Sequence, residues 1–287
     1  MKLVGTDIDG TILPPSGRFS ERTRAALAAL EPAGIPLVLV TARPPRWVDA
    51  IADALSVKGL AVCGNGAVVY DMDSREIVDA VGVPTETLLV VAARLREALP
   101  GVAFAVESPA GLSREPRFPL GEQNLAHHEV GPFEELPAVQ DGSVFKVLAL
   151  LREGDADDML AAALPLCDGL LEASHSSSVA PLIELAPLGV TKAFGLARQA
   201  ERCGIDAADV VAFGDAPNDV PMLAWAGMSY AVANAHPDVI AAAQHQTASV
   251  RDDGVAQVLE RLLAAARDAA PDASPAASDA TDLSPTS

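Results

Sequence analysis

The chain has 287 residues, 50% of them hydrophobic, and a formal net charge of -19 at pH 7. Such a length predicts one large domain or two moderate ones, with enough apolar residues to bury a core. An acidic surface repels nucleic acid and anionic membranes, so we expect neither as a partner.

No segment of the sequence indicates export or membrane insertion. The amino terminus leads straight into a strand-like run without a signal peptide, and no stretch approaches the roughly 18 consecutive apolar residues of a membrane span. The three cysteines, Cys63, Cys167 and Cys203, are few and far apart, which argues against a disulfide framework or a zinc site. We therefore expect a cytoplasmic protein.

The first third of the chain alternates strand-like and helix-like segments. The predicted strands are aliphatic runs at Leu3–Thr6, 35–43 and 60–71, the last continuing into a hairpin. The predicted helices are residues 21–33, with Ser20 as the N-cap, and residues 44–55, which begin with prolines.

The middle of the chain has a different pattern. Helices are predicted at 85–99 and 155–164, and strands at 102–106, 143–151, 169–174 and 178–185. A long polar loop, rich in proline and glycine, is predicted between the first two of these strands. The pattern indicates an inserted α+β domain over residues 82–184.

The last third returns to strand–helix alternation. Its predicted helices are 190–205, 219–227, 236–244 and 254–267, and its predicted strands are 209–215 and 228–234. This alternation predicts an α/β fold with a doubly wound, mainly parallel Rossmann-like core sheet. Residues 1–81 and 185–267 would form one discontinuous core domain. The acidic tail, 268–287, has almost no large apolar residues, and we expect it to be disordered.

Polar residues follow three of the predicted parallel strands, and in such sheets binding sites form where strands end. The clusters are Asp7-Ile8-Asp9-Gly10-Thr11, Thr41-Ala42-Arg43, and the "GDAPND" turn with Asp215, Asn218 and Asp219. Lys192 lies near the start of the helix that precedes the last of these strands. We expect all of them to line one pocket.

The first cluster places two carboxylates, Asp7 and Asp9, on the same face of an extended backbone. Two such groups repel each other unless a cation lies between them. With Asp215 as a third carboxylate, the set offers only oxygen ligands, which suits Mg²⁺. The sequence therefore predicts a magnesium site.

In that order, the motifs "DIDGT", "VLVTAR", "GVTKAFGLA" and "GDAPNDVPML" resemble the four motifs of the haloacid-dehalogenase-like phosphatases. The insertion between the second and third motifs is similar in size and position to the C2-type cap of the Cof-like branch. The resemblance covers nearly the whole chain apart from the tail. It implies a catalytic core, a C2-type cap that selects the substrate, and Mg²⁺ as the cofactor.

The resemblance also implies roles for individual residues. Asp7 would be the nucleophile that becomes an aspartyl-phosphate, and Asp9 the general acid and base. Asp7, Asp215 and the backbone carbonyl of Asp9 would bind Mg²⁺, with Asp219 supporting the metal's waters. Gly10, Thr11, Thr41, Lys192 and Asn218 would bind the phosphoryl group, with Asn218 either contacting phosphate or orienting Lys192.

Other sequence patterns give weaker indications of function. An EF-hand loop that began at Asp7 would place Ile12 and Arg18 where glycine and glutamate are required, so calcium binding is rejected. "GNGAVV" lacks the last glycine of a dinucleotide fingerprint and is interpreted as a turn. Arg43 fits either a substrate contact or a pair with an acidic neighbour, and His127-His128 is more typical of exposed histidines than of a metal site. Cap residues that fit a role in substrate choice are Glu107, Arg114, Glu115 and Arg117.

The sequence thus favours a Mg²⁺-dependent phosphatase that acts on small phosphorylated metabolites such as sugar phosphates. Two alternatives stay open at this point. A phosphotransferase or phosphomutase would use the same aspartyl-phosphate, and a non-catalytic ligand-binding module would keep the fold without the chemistry.

Overall fold

The computed structural model describes residues 1–119, 129–176 and 180–269. Two sheets organise this part of the chain, one of eight strands and one of six. We call the lobe built on the eight-stranded sheet the core lobe, and the lobe built on the six-stranded sheet the cap lobe.

The core lobe combines the first five strands with the last three. Its strands are β1 (Leu3–Thr6), β2 (Leu37–Val40), β3 (Leu60–Cys63), β4 (Val68–Asp71), β5 (Glu76–Ala80), β12 (Val210–Gly214), β13 (Met228–Val232) and β14 (His245–Thr247). Its helices are α1 (Glu21–Ala28), α2 (Val48–Leu55), α6 (Lys192–Arg202), α7 (Val220–Trp225), α8 (Pro237–Ala242) and α9 (Gly254–Ala269).

The core sheet has the order β14-β13-β12-β1-β2-β3-β4-β5. All pairs from β14 to β3 are parallel, and only β3–β4 and β4–β5 are antiparallel. One face packs against α1, α2 and α9, and the other against α6, α7 and α8, which explains why β1 is buried along its whole length. The predicted doubly wound, mainly parallel α/β core is confirmed.

The cap lobe lies between β5 and α6 in the chain. Its strands are β6 (Ala103–Ser108), β7 (Gly111–Arg114), β8 (Glu129–Val130), β9 (Lys146–Leu150), β10 (Leu171–Ser174) and β11 (Leu182–Pro187), and its helices are α3 (Thr85–Ala98), α4 (Pro137–Gln140) and α5 (Ala156–Cys167). The sheet order is β10-β11-β9-β6-β7-β8, antiparallel except for the last pair. Helices α3 and α5 contribute to an apolar core on one face of this sheet. A smaller apolar cluster on the other face consists of Ala103, Ala105, Leu112 and Phe118.

Most helices begin or end a few residues from their predicted bounds, and for α1 and α5 the structure shows the reason. Residues 21–33 were predicted as one helix, but α1 ends at Ala28. Pro32 explains this, because its ring clashes with the carbonyl four residues earlier and disfavours helix at Glu31. Conversely, α5 continues through Pro165 to Cys167, past the predicted end at 164, and the buried Cys167 packs in the cap core. Tertiary packing outweighs the local preference there.

Four short elements were not predicted from the sequence. The stretch predicted as a polar loop contains β7, β8 and α4, and β14 follows α8 where no strand was predicted. Each has four residues or fewer and lacks the apolar periodicity that marks longer elements. The prediction at His127-His128 lies outside the described residues.

The predicted domain boundaries stay predictions. Strand β11 of the cap sheet continues beyond residue 184 to Pro187, and α9 includes the first two positions of the predicted tail. The remaining tail positions lie outside the described residues. All three cysteines are free, and none of the described helices is both long and apolar enough to cross a membrane.

Candidate active site

A cavity of about 1150 Å³ lies between the two lobes, at the carboxyl ends of β1, β2 and β12. Seven of the residues predicted from sequence line it: Asp7, Asp9, Gly10, Thr41, Lys192, Asp215 and Asn218. The other two predicted residues, Thr11 and Asp219, are buried directly behind this lining. The structure therefore brings all nine predicted site residues to one place.

The parallel register of the core sheet explains this convergence. Thr6 at the end of β1 pairs with Leu39 in β2 and with Phe213 in β12, so the three strands end side by side. The backbone N–H of Asp7 continues the ladder and donates to the carbonyl of Phe213 at 3.0 Å. The loops that follow these strands consequently share one edge of the sheet.

Lys192 is the first residue of α6, and its ammonium group joins two of the carboxylates. Its Nζ donates to Asp7 Oδ1 at 2.7 Å and to Asp219 Oδ1 at 2.6 Å. The side chain of Thr191 caps the helix by accepting from the N–H of Phe194. Burial acts to lower the pKa of Lys192, but the charges and hydrogen bonds of the two aspartates outweigh it and raise that pKa. Lys192 is therefore a buried permanent cation.

Asp7, Asp215 and Asp219 form a cluster in which one carboxylate oxygen of each lies within 4.8 Å of the others. Burial raises the pKa of Asp7 well above its usual range, and the neighbouring charges of Asp219 and Asp215 add to this against the opposing effect of Lys192. Burial, with the charge of Asp219, also raises the pKa of Asp215 to about 7. Three close carboxylates with one lysine leave excess negative charge, which a divalent cation would compensate.

The donor chemistry of this cluster fits a hard divalent cation. Its ligand atoms are all carboxylate oxygens, which Mg²⁺ prefers. Asp219 already accepts from Lys192 through Oδ1, and through Oδ2 from the N–H groups of Asp215 and Ala216 at 2.9 and 3.0 Å. The geometry therefore favours Asp7 and Asp215 as direct ligands and gives Asp219 a supporting position.

Gly10 makes room for Asp215. Its backbone has a φ of +79°, and a Cβ atom there would lie 2.1 Å from Asp215 Oδ2. Thr11, the next residue, donates from Oγ1 to Asp215 Oδ1 at 2.9 Å. The "DGT" part of the first motif thus shapes and orients the third carboxylate, since only glycine allows this close approach.

Asp9 has a different environment from Asp7. Arg43 donates to both of its carboxylate oxygens, at 2.6 Å each, and the Asp9 side chain is 51% exposed. The hydrogen bond with Asp9 raises the pKa of Arg43, against the effect of partial burial. Of the two alternatives for Arg43, the structure shows the pair with an acidic neighbour, inside the cavity. Thr41 Oγ1 accepts from the backbone N–H of Arg43 at 3.0 Å.

Asn218 lies in the same turn as Asp219 but contacts a different group. Its Nδ2 donates to Asn65 Oδ1 at 2.9 Å, whereas the residue of this turn that accepts a hydrogen bond from Lys192 is Asp219. Asn65 belongs to the "GNG" turn after β3 and has a φ of 59°. It was predicted only as part of a turn, and its buried position beside Asn218 required the tertiary structure.

The cap contributes residues that the sequence did not single out. Of the four cap residues proposed for substrate choice, Glu107 lines the cavity, where Arg46 from the core lobe donates to both its oxygens. Arg114, Glu115 and Arg117 do not belong to the cavity lining. Further lining residues from the cap are Phe118, Lys146, Leu148, His175, Leu182 and Glu184, and the core lobe adds Trp47 and His236. The sequence could have indicated two of these residues, because Lys146 and Glu184 each place a charge within an otherwise apolar strand.

Comparison with known proteins agrees with this picture. The family model of the haloacid dehalogenase-like hydrolases matches residues 4–259 of this chain. An HMP-PP phosphatase of Shigella flexneri is 27% identical over 253 residues, which cover 85% of this chain and 88% of the relative.

Solved structures show the same fold. The phosphatase BT1666 from Bacteroides thetaiotaomicron has a TM-score of 0.76 and 25% identity, covering 91% of this chain and 94% of its own. A sugar phosphatase of subclass IIB, BT4131, has a TM-score of 0.76 at 22% identity, covering 91% and 99% of the two chains, and so supports the fold alone.

The chain belongs to the haloacid dehalogenase-like hydrolase family. The predicted family, the Cof-type branch with its cap, and the fold class are confirmed. The predicted enzyme class, a haloacid dehalogenase-like hydrolase of phosphoric monoesters, is confirmed at the level of this family.

Proposed function

We propose that this protein is a Mg²⁺-dependent phosphatase that hydrolyses small phosphorylated metabolites through an aspartyl-phosphate on Asp7. The observation that carries the proposal is the position of Asp7. This carboxylate lines the cavity, is 4% exposed, and lies 2.7 Å from the ammonium group of Lys192. A nucleophile for phosphoryl transfer needs such cationic surroundings, because the anionic ester would otherwise be repelled.

Two steps account for the reaction. A carboxylate oxygen of Asp7 attacks phosphorus, the bond to the ester oxygen breaks, and Asp9 gives its proton to the departing alkoxide. Asp9, now a carboxylate, then takes a proton from water, whose oxygen attacks the same phosphorus and releases phosphate from Asp7. Lys192, anchored by Asp219, holds Asp7 in place throughout and neutralises charge on the phosphoryl oxygens.

Arg43 regulates the availability of Asp9 in this scheme. Both carboxylate oxygens of Asp9 accept hydrogen bonds from Arg43, so neither oxygen can transfer a proton to the ester while this pair is intact. Asp9 therefore has to separate from Arg43 before the first step. An entering phosphoryl group offers Arg43 a substitute anion, which would release Asp9 as the substrate binds.

The residues that would hold Mg²⁺ are Asp7, Asp215 and the backbone carbonyl of Asp9, with Asp219 behind them. Bound there, Mg²⁺ supplies positive charge for the phosphoryl oxygens and aligns the ester with the nucleophile. Thr11 keeps Asp215 oriented toward the cluster through its hydroxyl group.

The cavity suits a small metabolite with both polar and apolar parts. Its volume of about 1150 Å³ exceeds what a phosphoryl group alone requires. Phe118, Leu148 and Leu182 present apolar surface from the cap, and Glu107 and Lys146 present charged groups. The relative named HMP-PP phosphatase supports this class of substrate.

Asp7→Asn tests the proposal. The variant keeps the shape of the side chain but removes the nucleophile, so release of phosphate from 4-nitrophenyl phosphate should fall by at least about 1000-fold. Asp53→Asn, on an exposed side chain outside the cavity lining, is the matched control and should keep full activity. EDTA should abolish the wild-type activity and Mg²⁺ should restore it. Turnover by Asp7→Asn, or indifference to EDTA, would contradict the mechanism.

The same assay separates hydrolysis from transfer to a second substrate. With a panel of sugar phosphates, a phosphatase releases one free phosphate per ester consumed, whereas a phosphomutase or phosphotransferase produces a new phosphate ester. We expect free phosphate to account for all ester consumed, because water reaches the site through the open side of the cavity. Quantitative ³¹P NMR of the products makes the distinction.

A further inference from the structure

The face of the cap sheet that is turned toward the cavity, which we call the inner face, changes from charged to apolar along its strands. In β9, Lys146 is followed two positions later by Leu148, and in β11 Glu184 is preceded two positions earlier by Leu182. Glu107 of β6 pairs with Lys146 and adds a further charge. All five residues line the cavity, so the cap presents both charged and apolar groups to it.

The three charged residues of the inner face join the cap to the core lobe. Each forms a hydrogen bond with a group of the core lobe: Glu107 with Arg46, Lys146 with the carbonyl of Ala42, and Glu184 with Asn65. The three are 3%, 3% and 5% exposed, in that order. Buried charges persist where such partners compensate them, so these side chains have a structural task at the junction of the lobes.

The apolar part of the inner face forms a wall of the cavity. It consists of Leu148, Leu182 and Phe118, and we call these three residues the apolar wall. The two leucines are half-buried, and Phe118 packs with Ala103 and Ala105 of β6 in one apolar cluster. The small side chains of these alanines leave room above β6 for the ring of Phe118.

A hydrogen-bonded turn holds Phe118 against the sheet. Arg114 donates to the carbonyls of Glu115 and Phe118 at 3.1 and 2.9 Å, and the N–H of Phe118 donates to the carbonyl of Glu115 at 3.1 Å. Glu115 is anchored to β6, because its N–H donates to the carbonyl of Phe104 and its carboxylate accepts from the N–H of Phe104, both at 2.8 Å. Arg114 and Glu115 lie outside the cavity lining, but they position a residue that belongs to it.

An alcohol that reaches the apolar wall loses water from the surface that it places there. Hydroxyl groups facing leucine and phenylalanine side chains lose hydrogen bonds without replacement, whereas an apolar ring gains free energy from the same contact. We propose that Leu148, Leu182 and Phe118 select phosphate esters whose alcohol carries an apolar ring, in preference to esters of sugars. This inference rests on the proposed function and narrows it, since the apolar wall and Asp7 line the same cavity.

Cyclohexylmethyl phosphate and glucose 6-phosphate are a matched pair of esters for the test. Both carry a six-membered ring that one CH₂ group joins to the phosphate, but only the sugar has hydroxyl groups and a ring oxygen. The kcat/KM for phosphate release in Mg²⁺ buffer should be at least about tenfold higher for cyclohexylmethyl phosphate. Equal values, or a preference for glucose 6-phosphate, would overturn the proposal.

Leu148→Asn places a polar side chain of similar size in the apolar wall and should reduce this preference at least about fivefold. Leu150→Asn is the matched control, because Leu150 is a half-buried leucine on the same face of β9 that does not line the cavity. Leu150→Asn should keep the wild-type preference, and so should Leu148→Met, which retains an apolar side chain. Both esters are assayed on the same preparation, so a partly unfolded variant lowers both rates and leaves their ratio unchanged.

The variants also separate selection of the ligand from packing of the cap. A lower Tm in Leu148→Asn with an unchanged preference would show that Leu148 serves packing alone, and an equal loss of preference in Leu148→Asn and Leu150→Asn would trace the effect to the cap fold. Either result would overturn the proposal. Titration calorimetry with the same two esters keeps this inference distinct from the proposed function. A chain that released no phosphate would refute the proposed function, and the ratio of the two affinities would still measure the preference.

Discussion

At the scale of single residues, the site depends on close approach between backbone and carboxylates. Gly10 is the clearest case, since a methyl group on its Cα would collide with Asp215. Gly17 has a similar backbone conformation, with a φ of +70°, but a Cβ there would meet nothing within 4 Å. Substitutions at Gly10 and Gly17 therefore separate the free-energy cost of the left-handed backbone from the cost of a collision with Asp215.

Gly10→Ala and Gly17→Ala should both lose about 1 kcal/mol of stability from the left-handed backbone. Only Gly10→Ala should also displace Asp215, and it should raise the Mg²⁺ concentration for half-maximal activity by at least about tenfold. Thermal unfolding and Mg²⁺ titration of phosphatase activity measure the two effects. Equal Mg²⁺ requirements in the two variants would show that Asp215 does not bind the metal.

Asp7 and Asp9 lie two positions apart but have different surroundings. Asp7 is buried against Lys192, whereas Asp9 is half exposed and paired with Arg43. The sequence predicted two carboxylates at one site, but not their separate cationic partners. Those partners come from α6 and from the loop after β2, which only the fold brings together.

At the scale of elements, the start of α6 places Lys192 against the carboxylate cluster. Lys192 is the first helical residue, and the preceding Thr191 caps the helix by accepting from the N–H of Phe194 at 3.3 Å. Gly66 allows the turn after β3 to pack against this point, since a Cβ there would lie 2.0 Å from the carbonyl oxygen of Thr191. The cap at Thr191 and the turn at Gly66 thus both hold the start of α6 in place.

Thr191→Ala should lower the stability by about 1 kcal/mol, the usual worth of an N-cap. Because the freed helix start lets Lys192 shift, kcat should also fall about tenfold. Ser20→Ala removes the N-cap of α1, which accepts from the N–H of Thr23 at 2.9 Å, and serves as the control outside the cavity lining. It should cost similar stability with unchanged kcat, and a loss of kcat in both variants would argue against a specific role for α6.

At the scale of the whole molecule, side chains of the cap bond to the core lobe around the cavity. One of these contacts involves Asp157 on α5, which interacts with His175 of the cap at 2.7 Å and with His236 of the core lobe at 3.4 Å. The hydrogen bond with His175, aided by that with His236, lowers the pKa of Asp157 below its usual 3.8. The contact thus favours the ionised form of Asp157.

Asp157→Asn should therefore destabilise the protein in a pH-dependent manner. A carboxylate with a lowered folded-state pKa stabilises the fold fully above its unfolded-state pKa, and this contribution disappears as the pH falls through the folded-state value. The urea midpoints of wild type and Asp157→Asn should differ most above about pH 5 and converge as the pH falls below 3.8. A difference that stayed constant over this range would exclude an ionic contribution from Asp157.

The cytoplasmic location and the expected lack of nucleic-acid and membrane partners stay predictions from composition and charge. The doubly wound core, in contrast, followed from the alternation of aliphatic strands and helices along the chain. That alternation is a local property with a strong physical basis, because buried parallel strands need continuous apolar runs and crossover helices.

What the sequence by itself determined was the family, the α/β core with its cap, and the residues at the ends of β1, β2 and β12. Motif order and strand ends are linear features, and parallel strands necessarily bring their carboxyl ends together. Only the tertiary structure decided which cation faces which carboxylate, and that Glu184 and Asn65 stand behind Asn218. These contacts join residues between 27 and 185 positions apart in the chain, and no local pattern of apolar and polar residues encodes such a pairing.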